Sequence, residues 1–236
     1  MKKAFFLAAG FVLAGVASAQ FQAVINEFVA NHVGTDTNEY VEIFGTANTD
    51  MSSLTLLHIE GDTTGAGVID TVVGIGTTDA GGFWLSTFFN NEFENGTISL
   101  LLVSNFTGAD GQDLDTDNDG VFDVTPWSSV LDAIAVSDGG ATDFTYGGTT
   151  LNPNFDGGTL PVGGASRIPN GVDTNTVVDW MRNDFDGEGI PGFTGTPVFG
   201  EALNTPGSIN QAVPEPASLA ALGLGALALL RRRRRA

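Results

Sequence analysis

The residues of this chain best suited to chemistry are aspartates between positions 113 and 123. Asp115, Asp117 and Asp119 alternate with other residues, and Gly120 follows them directly. This is the first half of a calcium-binding loop, because alternate carboxylates turn towards one hard cation and glycine permits the sharp bend. The sequence therefore predicts a structural Ca²⁺ site. The predicted ligands are the carboxylates of Asp113, Asp115, Asp117, Asp119 and Asp123 and the backbone carbonyl of Val121.

Other interpretations of this loop stay open. When the loop is counted from Asp115, position 12 is Pro126, where an EF-hand has a bidentate glutamate. The loop is therefore not an EF-hand. It is similar to the aspartate-rich loops of extracellular repeat proteins, in which other parts of the fold supply the remaining ligands. The alternative is a solvated acidic loop without an ion. Mg²⁺ fits the loop less well than Ca²⁺, because Mg²⁺ takes fewer protein ligands and retains more water. A second acidic stretch at residues 184–189 is better explained as a turn, since its glycine comes too early.

The residues for catalysis are sparse. The chain has no cysteine, its only histidines are His32 and His58, and the region between Gln20 and Ala212 has no lysine. The sequence has neither a G-x-S-x-G elbow nor an HExxH helix nor a phosphate-binding P-loop. We therefore predict that the protein is not an enzyme. Because carboxylates are abundant, the sequence leaves open the alternative that two acidic residues act together as they do in glycosidases.

The charge of the chain is strongly acidic. The 236 residues carry 28 acidic and 9 basic side chains, a formal charge of −19. Seven of the bases lie at the two ends, so residues 20–212 hold 27 acidic residues against Arg167 and Arg182, a formal charge of −25. A surface this acidic repels nucleic-acid backbones, so we expect no nucleic-acid partner. Bound divalent cations would relieve the self-repulsion.

The N-terminus has the pattern of a secretory signal. Lys2 and Lys3 precede an apolar stretch, and the small residues Ala17 and Ala19 come before Gln20. Signal peptidase accepts small residues at these positions, so residues 1–19 are predicted to be removed before Gln20.

The C-terminus carries the short motif Val-Pro-Glu-Pro at residues 213–216, an apolar run and a block of five arginines, in that order. The run from Ala217 to Leu230 would form a helix of about 21 Å, which is shorter than the bilayer core of about 30 Å. We therefore predict a short hydrophobic transmembrane helix that anchors the chain transiently. This arrangement resembles the PEP-CTERM sorting signal of Gram-negative bacteria, and the resemblance implies that an exosortase-type enzyme recognises residues 213–236 and removes the tail. A simple tail anchor is the alternative. The residues concerned are Val213, Pro214, Glu215, Pro216, Arg231, Arg232, Arg233, Arg234 and Arg235.

Residues 20–212 have the pattern of many short strands. The candidate segments are rich in Val, Ile, Thr and Phe and are bounded by Gly, Asn and Asp, which favours one antiparallel β-sandwich. Capped amphipathic runs long enough for a helix are absent from this part of the sequence. The predicted strands are Ala23–Val29, Glu39–Phe44, Leu54–Glu60, Val68–Ile75, Phe83–Phe88, Thr97–Ser104, Val130–Val136 and Phe144–Tyr146.

Four short segments carry a second resemblance. Residues 24–28 (VINEF), 38–44 (NEYVEIF) and 50–56 (DMSSLTL), together with 204–210 (NTPGSIN), resemble the opening and closing segments of lamin-tail domains. The resemblance implies an immunoglobulin-like β-sandwich, with the long middle region as loop insertions. Asn26, Glu27, Glu39 and Glu42 belong to these segments, and we expect them to bind loop backbone groups rather than a ligand.

These observations predict three regions: a signal peptide at residues 1–19, a lamin-tail-like β-sandwich at 20–212 and a sorting signal at 213–236. The expected function is that of a non-enzymatic protein of the cell surface or extracellular matrix of a Gram-negative bacterium. Its expected partners are an exosortase-like enzyme and extracellular polysaccharide or other surface proteins. The alternative is a secreted Ca²⁺-dependent hydrolase acting on phosphoesters or glycans.

Overall fold

A computed structural model describes residues 23–63 and 65–214. The predicted signal peptide and its cleavage residues Ala17, Ala19 and Gln20 lie outside these residues, as do the predicted hydrophobic helix and the arginines 231–235. Within the described ranges, no helix combines the length and the apolar character needed to cross a membrane.

The described chain is almost entirely β-structure, which confirms the predicted all-β class. The one helical element is a short 3₁₀ helix at Val177–Asp179. The strands are β1 (Ala23–Val29), β2 (Tyr40–Gly45), β3 (Leu54–Glu60), β4 (Ile69–Gly74), β5 (Phe83–Leu85), β6 (Ile98–Ser104), β7 (Ser129–Val136), β8 (Thr149–Leu151), β9 (Gly164–Arg167) and β10 (Trp180–Arg182).

The strands form two five-stranded sheets. The first has the order β10-β9-β1-β2-β5 and the second β4-β3-β6-β7-β8. All neighbours are antiparallel except β7 and β8, which pair in parallel, so the expectation of a purely antiparallel sandwich was wrong at this edge. A parallel pair needs a long return connection, and residues 137–148 supply it. The lamin-tail topology stays a prediction.

Most of the predicted strands are confirmed, but the one at Phe144–Tyr146 was wrong. These residues form part of the return connection, where the backbone N–H of Phe144 bonds the carbonyl of Gly61 and that of Tyr146 bonds the hydroxyl of Ser99. Their side chains cover the outer face of the second sheet, so the segment packs on the sheet instead of extending it.

The second sheet is buried on both faces. Leu100 and Leu102 of β6 face the core between the sheets, whereas Leu101 and Val103 face a second apolar cluster on the outside. The loops that join β6 to β7 and β7 to β8 build this outer cluster. This explains why β6 is an apolar run without alternation, as expected for a strand covered on both sides. The acidic loop belongs to this outer cover.

Candidate functional site

The acidic loop is anchored to the outer face of the second sheet by its apolar residues. Leu114 is fully buried in the outer cluster, and Phe122 stacks on Tyr146 with ring centroids 4.6 Å apart and an interplanar angle of 9°. Trp127 packs edge-on against Phe122 at 5.6 Å. The apolar residues therefore fix both ends of the loop that carries the aspartates.

Three of the predicted ligands come together. Carboxylate oxygens of Asp115, Asp117 and Asp123 lie within 4.8 Å of one another. Asp115 is fully buried, and its carboxylate accepts hydrogen bonds from the Tyr146 hydroxyl at 2.8 Å and from the Gly120 backbone N–H at 2.8 Å. Hard carboxylate oxygens at this spacing suit Ca²⁺, so the three residues fit the cation that the sequence predicts.

The remaining predicted ligands serve the loop backbone. The Asp113 carboxylate accepts from the N–H of Asp115 at 3.0 Å, and the Asp119 carboxylate accepts from the N–H of Val121 at 2.9 Å. Val121 itself is 65 % exposed. Asp123 belongs to the group of three close carboxylates, and its carboxylate also accepts hydrogen bonds from the N–H and the hydroxyl of Thr116 at 2.9 and 2.6 Å. The structure thus brings Asp115, Asp117 and Asp123 together, and uses Asp113 and Asp119 to cap turns.

The electrostatics of the loop favour a cation. The negative charge of Asp119, ahead of burial and of Asp123, raises the pKa of Asp117. Burial acts to raise the pKa of Asp115, but the hydrogen bonds from Tyr146, Gly120 and Asp119 outweigh it and the pKa is lowered. Asp115 is therefore held as a carboxylate, and a divalent cation would relieve the repulsion felt by Asp117.

A second acidic cluster, which the sequence does not reveal, lies at one end of the second sheet. Glu60, Asp62 and Glu94 form one close group, and Asp62 forms another with Asp138 and Asp143. Burial and contact with Glu94 raise the pKa of Glu60 to about 8. These residues come from three separate segments with no common motif, so sequence spacing gives no indication of the cluster.

Both histidines are buried side chains. His58 is fully buried and packs edge-on against Phe93 at 5.3 Å, and burial lowers its pKa to about 4. His32 is also buried; its Nδ1 lies 3.0 Å from the carbonyl of Val33 and its ring packs edge-on against Phe193. Both therefore have the environment of packed residues. The stretch from Asp184 to Gly189 forms a turn in which the N–H of Gly187 bonds the carbonyl of Asp184.

The glutamates of the two opening segments bind the closing segment. Glu27 is fully buried in β1, and its carboxylate accepts from the hydroxyl of Ser166 at 2.8 Å, the amide of Asn183 at 3.2 Å and the backbone N–H of Thr205 at 2.9 Å. Burial raises the pKa of Glu27 to about 7, although these hydrogen bonds act in the opposite direction.

Glu42 holds the next part of the same segment. Its carboxylate accepts from the Asn26 side chain at 2.7 Å and from the N–H of Gly207 at 2.6 Å. Burial, reinforced by the charge of Glu27, raises the pKa of Glu42 to about 8. Asn210 completes the attachment by donating to the carbonyl of Asn26 at 3.0 Å. These contacts support a structural role for the residues that resemble lamin-tail domains.

Both basic residues of the described chain are used inside the fold. Arg167 is 1 % exposed, its Nη2 donates to both carboxylate oxygens of Asp132 at 2.9 Å, and its guanidinium stacks over Trp180 at 4.4 Å. Because Arg167 lies in β9 and Asp132 in β7, this pair joins the two sheets. Arg182 is buried and pairs with Asp156 at 2.9 Å. The surface formed by the described residues is therefore acidic without exposed cationic side chains.

The last residues of the fold lie against Glu201 and Ala202. Ala202 pairs with Ala212 in an isolated β-bridge, and the N–H of Val213 bonds the carbonyl of Glu201 at 2.9 Å. Comparison with protein-family models finds the PEP-CTERM protein-sorting motif at residues 212–235. Searches of curated proteins and of solved structures found no match. The chain thus carries, directly after its β-sandwich, a motif that supports export and exosortase-type sorting to the bacterial cell surface.

Proposed function

We propose that this chain is a non-enzymatic protein of the bacterial cell surface or extracellular matrix, which an exosortase-type enzyme sorts and whose β-sandwich Ca²⁺ stabilises. The observation that carries the proposal is the PEP-CTERM motif at residues 212–235, which begins where the sandwich ends. The sandwich is the displayed part, and the tail is the sorting signal.

The sorting step is tested in the bacterium that produces the protein. We expect the wild-type chain in the cell-surface or released fraction and a chain that lacks residues 214–236 in the periplasm. As a matched variant, Asp110→Asn also removes one acidic side chain but leaves the motif and the residues around Glu201 intact. Equal distribution of the wild-type and truncated chains would contradict sorting by this segment.

The calcium part of the proposal rests on the geometry of Asp115, Asp117 and Asp123. Their convergent carboxylates and the formal charge of −25 between residues 20 and 212 both favour a bound divalent cation. In this role Ca²⁺ would hold the outer loop against the sheet through Asp115, which already contacts Tyr146.

Thermal and urea unfolding of residues 20–214 with Ca²⁺ and with chelator tests the calcium site. Ca²⁺ at 100 times its Kd should stabilise the fold by about 2.7 kcal/mol. Asp117→Asn should abolish most of this gain, whereas Asp110→Asn removes an exposed charge outside the triad and should retain it. An identical unfolding midpoint with Ca²⁺ and with chelator would refute the site.

Residues 23–63 and 65–214 present no exposed cationic side chain, and this also narrows the class of partner. Arg167 and Arg182 are both buried in ion pairs, so an anionic polysaccharide would need bridging divalent cations to approach this surface. We therefore propose neutral polysaccharide or other surface proteins as direct partners. Pull-down on neutral and on uronic-acid polysaccharides, each with and without Ca²⁺, distinguishes these cases, and Ca²⁺-independent binding to the uronic-acid polymer would contradict the proposal.

The hydrolase alternative gains no support from the cavities. A glycosidase-type mechanism needs two carboxyl groups facing one cleft about 5–9 Å apart. One cavity of about 550 Å³ is lined by a single carboxylate, Asp173, and another of about 490 Å³ also by one, Glu201. The non-enzymatic function is therefore the one we propose.

A further inference from the structure

The fold leaves no spacer between its last fixed residue and the sorting motif. The N–H of Val213 bonds the carbonyl of Glu201, and Pro214-Glu215-Pro216 follows immediately in the sequence. An extended chain covers at most about 3.6 Å per residue, so the covalent length of chain between Val213 and the glutamate of the motif is no more than about 7 Å. An enzyme that contacts the Pro-Glu-Pro residues must therefore lie against the surface around Glu201.

That surface has a cavity with apolar walls. The cavity measures about 490 Å³, and its lining includes Leu160, Phe185 and Glu201. Leu160 is 72 % exposed and Phe185 is 45 % exposed. Two more exposed apolar residues, Val198 and Phe199, lie in the turn that ends at Glu201, where the N–H of Glu201 bonds the carbonyl of Val198.

The one cation in the cavity lining does not make it an anion site. All five N–H donors of Arg182 are used, by the Asp156 carboxylate and by the carbonyls of Pro153, Leu160 and Pro161. Its guanidinium therefore fixes the loop that presents Leu160 instead of binding a ligand. Three apolar side chains, Leu160, Pro161 and Phe185, line the cavity beside uncharged polar groups from three asparagines and a threonine, and Glu201 is its one carboxylate.

We propose that this cavity and the exposed residues around it, the exit face (Leu160, Phe185, Val198, Phe199 and Glu201), dock against the enzyme that reads the sorting motif. The inference rests on the proposed sorting of this chain. The N–H of Val198 bonds the carboxylate of Asp184 at 3.0 Å, which brings the turn with Val198 and Phe199 close to Phe185. Exposed apolar groups that lie near one another mark interaction sites, and the short reach from Val213 selects this enzyme as the occupant. Because the sandwich carries a formal charge of −25, the complementary surface of the enzyme is apolar with a neutral or basic rim.

The test uses the full chain in the bacterium that produces it and measures the fraction from which the tail is removed. We expect the double variant Leu160→Ser, Phe185→Ser to be processed at least five times more slowly than wild type. The matched control is Val130→Ser, Val178→Ser, since both valines are exposed but lie outside this cavity. A third chain carries, between Val213 and Pro214, ten Gly/Ser residues followed by a second Ala-Val pair, so that the motif of residues 212–235 stays intact behind the spacer. The ten Gly/Ser residues add a mean span of about 17 Å.

In the chain with the spacer, the serine substitutions should change processing less than twofold, because the enzyme then reaches the motif without contacting the exit face. Equal sensitivity with and without the spacer, or wild-type processing of the double variant, overturns the docking proposal while leaving the sorting intact. Failure of the wild-type chain itself to be processed overturns the proposed function and this inference with it.

A second measurement does not depend on folding of the double variant. A photo-crosslinking amino acid in place of Leu160 should capture the sorting enzyme, and one in place of Val178 should not. Equal capture at both positions would contradict a specific exit face.

Discussion

Replacing Glu27 with glutamine should weaken the dependence of stability on pH. The folded state raises the pKa of this carboxyl from 4.5 to about 7 through burial, so the folded chain keeps a proton that the unfolded chain has already lost. Wherever the folded state binds more protons, the free energy of unfolding decreases as the pH rises. For Glu27 this loss begins near pH 4.5 and is complete above about pH 7.

The size of the effect follows from the shift. The pKa of Glu27 is raised by about 2.5, and a pKa difference of one corresponds to about 1.4 kcal/mol. The fold therefore loses about 3 kcal/mol of stability between pH 4.5 and 8.5. Glu42 acts with the same sign, since its pKa is raised to about 8. In Glu27→Gln the contribution of Glu27 disappears. The new amide also faces donors from Ser166 and Thr205, but that cost is the same at every pH and cancels in the comparison.

The assay is urea unfolding of residues 20–214 at pH 5.0 and 8.5 in 1 M NaCl, where the Debye length is about 3 Å and general charge repulsion is screened. We expect the difference in unfolding free energy between the two pH values to shrink by about 2.5 kcal/mol in Glu27→Gln, slightly less than the full effect because the unfolded carboxyl is already mostly ionised at pH 5.0. Glu188→Gln, which removes one acidic side chain outside this network, is the matched control. An unchanged difference in Glu27→Gln would refute the buried, protonated carboxyl.

Two further substitutions test the contacts that hold the sheets and the acidic loop. Arg167→Met leaves Asp132 buried without its partner, so urea unfolding should show that the free energy of unfolding falls by about 3–5 kcal/mol. A decrease below about 1 kcal/mol would mean that the pair does not join the sheets. Tyr146→Phe removes the hydroxyl that donates to Asp115 and should lower stability by about 1 kcal/mol. Calorimetric titration should also show weaker Ca²⁺ binding by Tyr146→Phe, and unchanged affinity would place the ion away from Asp115.

The sequence predicts those parts of the fold in which local pattern and burial agree. Strands β1 and β3 have the predicted bounds, because β-branched and large apolar residues run between clear turn residues. Strands β8, β9 and β10 were missed because each has only three or four residues and is defined by its neighbours rather than by its own pattern. Tyr146 shows the converse: an aromatic segment typical of a strand packs on the outer face of the sheet instead.

The candidate sites follow the same division. The alternation of Asp115, Asp117 and Asp119 before Gly120 made the acidic loop visible in the sequence. Which three carboxylates come together, those of Asp115, Asp117 and Asp123, is known only from the structure. The network around Glu27 joins residues as far as 178 positions apart, and the contact with Thr205 is suggested only by the resemblance of residues 204–210 to a closing segment. Sequence spacing cannot supply such contacts, since they depend on which strands become neighbours.

The most direct test of the account is the intact mass of the protein recovered from the cell surface or the medium. A sorted and processed chain begins at Gln20 and lacks the residues that follow Pro216, including the five arginines at 231–235. We expect a mass that corresponds to these two losses. Recovery of a chain that still contains residues 231–235 would contradict processing at the sorting motif.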